Sequence, residues 1–213
     1  MPAPVRRRPS LVVATTNPGK LREYRELLGD LGTELRSLAD FPPRPEVEED
    51  GDTFEANAVK KATETARALG ELVLADDSGL IIDALDGEPG VLSARYAMDE
   101  AADRSDAANI AKVLRRLAGV AREQRTARFV CVIALADPSG SVLTVEGSCE
   151  GRITVEPRGA GGFGYDPIFE DPHTRLTFAE LSPAKKNEIS HRSRALSKLR
   201  STLSDFPNRK FQI

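Results

Sequence analysis

Two adjacent aspartates, Asp76 and Asp77, follow an apolar run in the sequence LADDSGL. Ligands of open α/β sheets bind at the carboxyl ends of strands, so a carboxylate at this position is well placed to do chemistry. Adjacent strand residues point to opposite faces, and we therefore expect only one of the two aspartates to enter a site. A turn role for Asp-Ser-Gly is the alternative on local grounds.

A second group of carboxylates lies in EVEEDGDTFEANA, where Glu46, Glu48, Glu49, Asp50 and Asp52 crowd a short stretch. Like charges this close repel one another unless water or a cation screens them. Mg²⁺ usually takes one or two carboxylates together with substrate phosphates. A solvated acidic loop is one interpretation; a magnesium site becomes the better one if an aspartate from LADDSGL converges on the loop.

The segment VVATTNPGKLREY predicts a strand followed by a helix. Asn17 is a good N-cap, Pro18 suits the first helical position, and Gly19 permits a close approach to the backbone. We expect unpaired N–H groups at this positive helix end, with hydroxyl donors and a lysine beside them. The candidate phosphate cradle comprises Thr15, Thr16, Asn17, Pro18, Gly19 and Lys20. A well-capped turn with a surface lysine is the alternative, and the spacing is not that of a P-loop.

The stretch GGFGYDPIF is too rich in glycine for regular structure, and an ordered loop is predicted over residues 157–167. Gly164 permits unusual backbone angles, while Phe163 and Tyr165 offer flat faces on which a base can stack. A loop anchored in the core by its two aromatics is the competing interpretation. Asp166 either accepts a hydrogen bond from a ligand or caps the turn before Pro167.

Apolar runs alternate with helical patterns along the chain, which predicts an α/β fold. The runs SLVVATT, ELVLADDSG, RFVCVIALA and SVLTVEGSC read as strands, and the turn DPSG predicts that the last two form an antiparallel hairpin in a mixed sheet. Helices are predicted over residues 20–31, 53–69 and 101–117. For the second helix, Asp52 is the expected N-cap, with Glu55 completing a capping box.

Composition limits the possible functions. The chain has 213 residues, 40% of them hydrophobic, which suits one domain over residues 11–203 between a basic, flexible N-terminus (1–10) and a tail (204–213). A net charge of −3 provides no broad nucleic-acid surface. The two cysteines suggest neither a disulfide framework nor a zinc site, so a cytoplasmic protein is expected. No apolar run is long enough for a membrane span or a signal peptide.

Six motifs, taken in order, resemble the inosine triphosphate pyrophosphatase family. They are TTNPGK, EEDGDTFEANA, LADDSGL, PGVLSARYA, GGFGYDPIF and KNEISHRSRAL, and the resemblance extends from about Leu11 to Leu203. It implies an enzyme that uses Mg²⁺ to cleave ITP, dITP or XTP to the monophosphate and pyrophosphate. It also implies a homodimer and a two-lobed α/β domain around a long mixed, twisted sheet, with the site in the cleft.

The resemblance also implies roles for individual residues. Glu48 falls on a metal ligand, and Asp77 on the proton acceptor that also contacts the metal. The turn from Thr15 to Lys20 is similar to the family's triphosphate-binding turn. The substrate-binding positions fall on Ser78, Phe163, Gly164, Tyr165, Asp166, Lys186, His191 and Arg192.

The last motif raises a geometric question. Lys186 and His191 are five residues apart, about 140° around an ideal helix, so one unbroken helix cannot present both to one ligand. If they converge, as the resemblance implies, a helix beginning near residues 182–183 must break before Ser190, which then caps a second helix through Leu203.

Two other functions compete with this assignment. A Maf-like pyrophosphatase acting on pyrimidine or modified nucleotides is disfavoured by the SHR motif and the FGYD loop. A regulatory module that binds nucleotides without turnover is disfavoured because both metal carboxylates, Glu48 and Asp77, are present.

Overall fold

A mixed sheet forms the frame of the protein in a computed structural model that describes residues 10–29, 34–101 and 105–205. The strands are β1 (Ser10–Val13), β2 (Glu34–Ser37), β3 (Leu72–Ile82), β4 (Thr126–Ala136), β5 (Val142–Ile153) and β6 (Phe169–Glu170). Their order is β2-β1-β3-β4-β5-β6. Strand β1 is parallel to β2 and β3, and the other pairs are antiparallel. The predicted α/β fold, with its hairpin in a mixed sheet, is confirmed.

The helices flank this sheet, with short 3-10 turns in several connections. They are α1 (Pro18–Leu28), α2 (Phe54–Leu69), α3 (Met98–Ala101), α4 (Asp106–Arg116), α5 (Pro183–Ile189) and α6 (His191–Asp205). The segment from Pro157 to Tyr165 is irregular, as its glycines predict, and the last two residues of the predicted loop begin a 3-10 turn (Asp166–Ile168).

Helix boundaries differ from the sequence prediction in three places. Helix α1 begins at Pro18, the first helical position predicted with the Asn17 cap, but it ends at Leu28 rather than at Leu31, which lies outside the described residues. Helix α2 is capped by Thr53, whose hydroxyl accepts from the Ala56 N–H. The capping box on Asp52 is therefore wrong, because the residue with extended angles next to the first helical turn is one position later. The third predicted helix is present as α3 and α4, and residues 102–104 between them are not described.

The sheet separates different cores along its length. Near β1, one face packs on α1 and α6 through residues such as Tyr24 and Leu196, and the opposite face packs on the small side chains of α2, such as Ala62. Beyond the middle of β3, a third cluster forms around Phe129 and includes residues of α4. Between Ala75 and Leu80, β3 passes from the first two clusters to the third. Residues 76–79 therefore lie where the two lobes meet, one lobe holding the first two clusters and the other holding the third.

The ends of the predicted domain are only partly described. Strand β1 begins at Ser10 and α6 extends to Asp205, while residues 1–9 and 206–213 lie outside the described part of the chain. Among the described residues, no helix is both long and apolar enough to cross a membrane.

Candidate active site

Asp76 forms the electrostatic centre of one face of β3. Its Oδ2 lies 3.0 Å from Lys20 Nζ, accepts from Arg192 Nη2 at 3.1 Å, and accepts from Ser78 Oγ at 2.6 Å. The side chain is only 1% exposed. Burial alone would raise the pKa of Asp76, but the charges of Lys20 and Arg192 outweigh it and hold that pKa well below its ordinary value. Asp76 is therefore a fully ionised anchor for two cations.

Asp77 lies on the opposite face and has a different environment. Its Oδ2 accepts from Asn57 Nδ2 at 2.9 Å, and its Oδ1 accepts from the Ser78 N–H at 2.9 Å. Burial raises the pKa of Asp77, the Asn57 hydrogen bond opposes that shift, and the negative charge of Glu49 adds to it. A carboxylate held this way is well oriented and more basic than usual, which suits a group that accepts a proton.

The acidic loop reaches Asp77 through Glu49. The Glu49 carboxylate pairs with Lys61 of α2, and Arg95 Nη2 donates to the Glu49 carbonyl oxygen at 3.0 Å. Glu48 is exposed, and its charge is felt by Lys60. Among the described residues, no group of three or more His, Cys, Asp or Glu side chains is arranged to hold a metal ion. Asp77 with one acidic-loop carboxylate is nevertheless the donor set that Mg²⁺ takes when phosphate oxygens complete its shell.

The turn before α1 differs from the predicted cradle in one respect. Asn17 is the N-cap, as predicted, and its Oδ1 accepts from the N–H groups of Gly19 at 2.8 Å and Lys20 at 3.1 Å. The Leu21 N–H donates to the Asn17 carbonyl oxygen at 3.0 Å. The prediction that the donors of Gly19 and Lys20 are unpaired is therefore wrong, because the Asn17 side chain satisfies them. Thr16 Oγ1 donates to Glu46 at 3.1 Å, which ties the turn to the acidic loop.

Alternating charges connect this turn with the glycine-rich loop. Lys186 Nζ lies 2.5 Å from Asp166 Oδ2 and 2.8 Å from Glu23 Oε1. Glu23 also pairs with Arg192. We name the resulting series the charge chain; in order it comprises Asp166, Lys186, Glu23, Arg192, Asp76 and Lys20. Lys186 and Arg192 are both buried, so their charged groups are held in fixed positions by carboxylates.

The helix break at Ser190 is confirmed. Ser190 has extended angles (φ −68°, ψ 155°) between α5 and α6, and its Oγ accepts from the Ser193 N–H at 3.2 Å. This break brings Lys186 and Arg192 to the same carboxylate, Glu23. His191 is buried and stacks on Phe129, with ring centroids 4.8 Å apart. Burial, together with the charges of Arg192 and Lys186, lowers the pKa of His191 well below its ordinary value, so the imidazole is neutral.

The two aromatic residues of the glycine-rich loop lie in different environments. Phe163 packs directly over Gly19, where a Cβ would come within 2.5 Å of the ring, and Lys186 Nζ lies 4.7 Å from the ring centroid. Tyr165 is buried in the core, and its hydroxyl donates to the Ser93 carbonyl oxygen at 2.8 Å. Stacking therefore remains available to Phe163, while the core interpretation holds for Tyr165.

The remaining residues of the loop fix its shape. Gly164 has φ 57°, and its N–H donates to Asp106 Oδ2 at 2.6 Å. Asp166 Oδ2 accepts from the Phe163 N–H at 2.9 Å in addition to its contact with Lys186. Asp166 therefore closes the turn before Pro167, which was one of the two roles considered from the sequence, and also holds the loop against α5 through Lys186.

Sequence reasoning missed Glu23, Asn57 and Lys61. Glu23 lies three residues after Lys20 in α1, so the two share a helix face. Asn57 and Lys61 share a face of α2 at a spacing of four. The charges of Asp76, Glu49 and Asp77 raise the pKa of Lys61 although burial opposes the shift. These residues could have been found from one sequence signal: each is a polar residue, at helical spacing, on a helix face that otherwise packs against the sheet.

Comparisons with known proteins show which proteins this chain is similar to. A dITP/XTP pyrophosphatase of Desulforamulus reducens is 56% identical over 188 residues, which is 88% of this chain and 92% of that protein. A dITP/XTP pyrophosphatase of Shouchella clausii is 55% identical over 193 residues, covering 91% of this chain and 96% of that protein.

Solved structures give the same result. A HAM1 protein from Coxiella burnetii superposes with a TM-score of 0.81 at 45% identity, covering 92% of this chain and 99% of that one. A nucleoside-triphosphatase, dITP/XTP pyrophosphatase, from Mycobacterium abscessus superposes with a TM-score of 0.71 at 46% identity, covering 89% and 97% of the two chains. The family model described as "Ham1 family" matches residues 11–202. The chain belongs to the Ham1 family.

Proposed function

We propose that this protein is a Mg²⁺-dependent pyrophosphatase that converts ITP, dITP and XTP to the monophosphate and pyrophosphate. Such an enzyme removes these nucleotides from the pool before they enter DNA or RNA. Family membership and relatives named dITP/XTP pyrophosphatase support the reaction. The observation that carries the proposal is Asp77, an oriented and unusually basic carboxylate between the two lobes, one residue from the anchor that holds Lys20.

Asp77 accepts the proton of the attacking water in this proposal. The Asn57 and Ser78 N–H donors each occupy one carboxylate oxygen and fix the plane of the group, so a second lone pair on an oxygen can orient water toward the α-phosphorus. Mg²⁺, when bound, neutralises charge on the phosphate oxygens. Asp77 and a carboxylate of the acidic loop would hold it. The resemblance assigns that carboxylate to Glu48, whereas the charge felt by Asp77 favours Glu49.

The triphosphate lies against the turn before α1. Lys20 places a positive charge there, and Asp76 fixes its position. The N–H groups of Gly19 and Lys20 become available to phosphate oxygens when the Asn17 side chain turns away, since Asn17 holds them in the ligand-free turn. When phosphate binds, its oxygens thus replace Asn17 Oδ1 as the acceptors for the N–H groups of Gly19 and Lys20.

Base selection uses the other end of the charge chain. A 6-oxo purine offers an acceptor where adenine offers a donor, and Lys186 and Arg192 are donors held beside Phe163. Leaving a buried donor unpaired against adenine costs on the order of 1–3 kcal/mol, which is about tenfold to over a hundredfold in discrimination. His191 is neutral and contributes at most one N–H.

The assembly and location follow the family expectation. We infer a homodimer and a cytoplasmic enzyme, supported by the resemblance and by free, buried Cys131 and Cys149, which suit a reducing compartment. Sedimentation of the purified full chain tests the dimer, with a mass near 23.1 kDa counting against it.

A pyrophosphate-release screen tests the function. ITP, dITP, XTP, GTP, ATP and the pyrimidine triphosphates are each incubated with the enzyme, with and without Mg²⁺. The proposal requires release from ITP, dITP and XTP that depends on Mg²⁺ and exceeds release from ATP. Hydrolysis of pyrimidine triphosphates without any of ITP or XTP would replace it with the Maf-like alternative, and binding without turnover would replace it with a regulatory module.

The metal ligands need a separate test. Mg²⁺ dependence of turnover is measured for Glu48→Gln and Glu49→Gln, which make the same chemical change at adjacent positions of one loop. The variant that demands more Mg²⁺ for half-maximal rate identifies the ligand. Equal Mg²⁺ dependence of both variants and the wild type would leave no role for this loop in metal binding.

A further inference from the structure

One buried carboxylate outside the active site, that of Glu170, contacts several arginines at the edge of the sheet. Glu170, in edge strand β6, is 2% exposed. Arg122 Nη2 donates to its two oxygens at 2.7 and 3.0 Å, and Arg158 Nη2 donates to Oε2 at 2.9 Å. Arg175 Nε lies 3.6 Å from Oε1, and Arg152 is the cross-strand neighbour of Glu170. We name these five residues the Glu170 arginine cluster.

Positive charge exceeds negative charge in this cluster. Glu180, the second carboxylate in contact, lies 3.7 Å from Arg158 Nε, so three guanidinium groups, those of Arg122, Arg158 and Arg175, contact two carboxylates. Each arginine beyond the first adds repulsion among the cations that a single buried carboxylate cannot cancel. The chain as a whole carries a net charge of −3, so this excess is local. One arginine would suffice to neutralise Glu170, and the others call for a different explanation.

Hydrogen-bond donors also exceed acceptors. Each guanidinium has five N–H donors, and at 3.6 Å the Arg175 contact is an ion pair without a hydrogen bond. The Nε atoms of Arg152 and Arg158 are buried and lack hydrogen-bond partners within the described part of the chain. The side chains of Arg122 and Arg175 are 49% and 56% exposed, so part of each fork faces solvent. Arg122 and Arg175 therefore present guanidinium N–H groups to solvent, and the two hydrogen bonds to Glu170 hold Arg122 in place.

The backbone at Arg175 supports the same conclusion. Its φ is 63°, a left-handed conformation that is unfavourable for a residue with a side chain. The Arg175 N–H donates to the Asp171 carbonyl oxygen at 2.9 Å, and its own carbonyl oxygen accepts from Arg158 Nη2 at 3.3 Å. This turn holds the Arg175 side chain beside Arg158 in spite of their like charges.

We propose that the Glu170 arginine cluster is a second anion site, which binds a phosphate group carried by inorganic phosphate or by pyrophosphate. Guanidinium forks match phosphate oxygens in geometry and charge. Glu170 holds the arginines in place before the anion arrives, so binding loses little side-chain freedom. Arg158 also begins the loop that carries Phe163, which connects the site to the active-site cleft. This binding goes beyond the proposed function and does not depend on turnover.

The test follows backbone amide resonances of the ¹⁵N-labelled full chain during titration with inorganic phosphate. The amides of Arg122, Arg158 and Arg175 are expected to shift together in the wild type. In Arg122→Gln/Arg175→Gln, which keeps the contact of Arg158 with Glu170, binding at these amides should weaken about tenfold or more. The matched control is Arg115→Gln/Arg128→Gln, which removes two other exposed, ion-paired arginines and should bind as the wild type does.

Shifts confined to the active-site turn at residues 15–20, or equal binding in the cluster variant and the wild type, would overturn the proposal. If the double variant does not fold, Arg175→Gln alone serves, because it removes only the 3.6 Å ion pair. Its phosphate affinity should still fall several-fold, and an unchanged affinity counts against the site. A second titration with pyrophosphate separates the sources: tighter binding than phosphate identifies pyrophosphate as the occupant, and equal binding identifies phosphate. Pyrophosphate release, measured separately, reports on the proposed function alone.

Discussion

Asp76 and Asp77 are neighbours on one strand, yet the protein treats their charges in opposite ways. Asp76 contacts Lys20 and Arg192, and its pKa is held well below the ordinary value. Asp77 has an amide and a backbone N–H as hydrogen-bond partners, and its pKa is raised by burial and by the negative charge of Glu49. The alternation of a strand places one carboxylate among cations and the other beside an acidic loop. The charge of Asp76 is balanced by cations and stabilises the structure of the site. The charge of Asp77 is only partly balanced, so this carboxylate is available to accept a proton.

The largest expected effect is on turnover, in Asp77→Asn. Removing the proton acceptor should lower kcat for ITP by about 10²–10⁴-fold, the range for a positioned general base, while the fold is retained because no salt bridge of Asp77 is lost. Steady-state kinetics and the circular dichroism spectrum provide the two measurements. Turnover close to that of the wild type, with substrate binding retained, would remove Asp77 from this role.

The matched change on the other face, Asp76→Asn, should act first on stability. It leaves Lys20 and Arg192 without their shared carboxylate, and breaking a buried ion pair in this way costs about 3–5 kcal/mol. Urea unfolding of both proteins at neutral pH measures the difference in free energy of unfolding. An Asp76→Asn protein as stable as the wild type would mean that the charge chain is not a structural anchor.

That stability difference should depend on pH in a defined direction. The folded-state pKa of Asp76 is depressed, so its contribution is complete above the ordinary value of 3.8 and is lost as pH falls below that value toward the folded pKa. The difference in free energy of unfolding between the wild type and Asp76→Asn should therefore become smaller at acidic pH. A difference that stays constant from neutral pH to strongly acidic pH would exclude ionisation of Asp76 as its cause.

A smaller effect is expected from Gly19→Ala on the Asp76 face. The new Cβ would lie 2.5 Å from the Phe163 ring and displace it, so KM for ITP should rise about tenfold, the scale of a weakened base stack. Stability should change little, because the gain of about 0.5–1 kcal/mol from alanine in a helix is offset by the Phe163 packing that is lost. In a Phe163→Ala background the same change should leave KM unaltered. If Gly19→Ala still raised KM about tenfold in the Phe163→Ala background, displacement of Phe163 would not be the cause.

The smallest expected effect is a change in the pKa of Asp77 itself. Glu49→Gln removes a negative charge that raises the pKa of Asp77, so this pKa should fall in the metal-free protein. Glu48→Gln is the matched control and should leave it unchanged, because the Glu48 side chain is exposed. Carboxyl ¹³C resonances report both titrations. A larger shift from Glu48→Gln than from Glu49→Gln would reverse the assignment of the loop residue nearest Asp77.

Local signals in the sequence were sufficient for much of the fold and part of the site. The N-cap at Asn17 and the strand leading to Asp76 depend on neighbouring residues, and both are present in the structure. The break at Ser190 is also present, but its prediction needed the family resemblance in addition to helical geometry. The Thr53 cap was missed by one residue, because Asp52 and Thr53 are both good caps and only backbone angles distinguish them.

Contacts between distant segments could not be read in this way. Glu23 pairs with Lys186 and Arg192, which lie more than 160 residues further along the chain, and nothing local to Glu23 specifies those partners. The same holds for Tyr165, whose alternative roles were decided by a hydroxyl that reaches the Ser93 carbonyl oxygen. A buried polar network is a property of the folded arrangement, and sequence spacing identifies only its individual members.

The most direct test of the contrast between the two aspartates is a ¹³C carboxyl titration of both in the wild-type, metal-free protein. We expect Asp77 to titrate above 3.8 and Asp76 below it, in the same sample. Equal pKa values, or Asp76 titrating at the higher pH, would contradict the division of one strand into a structural anchor and a reactive carboxylate.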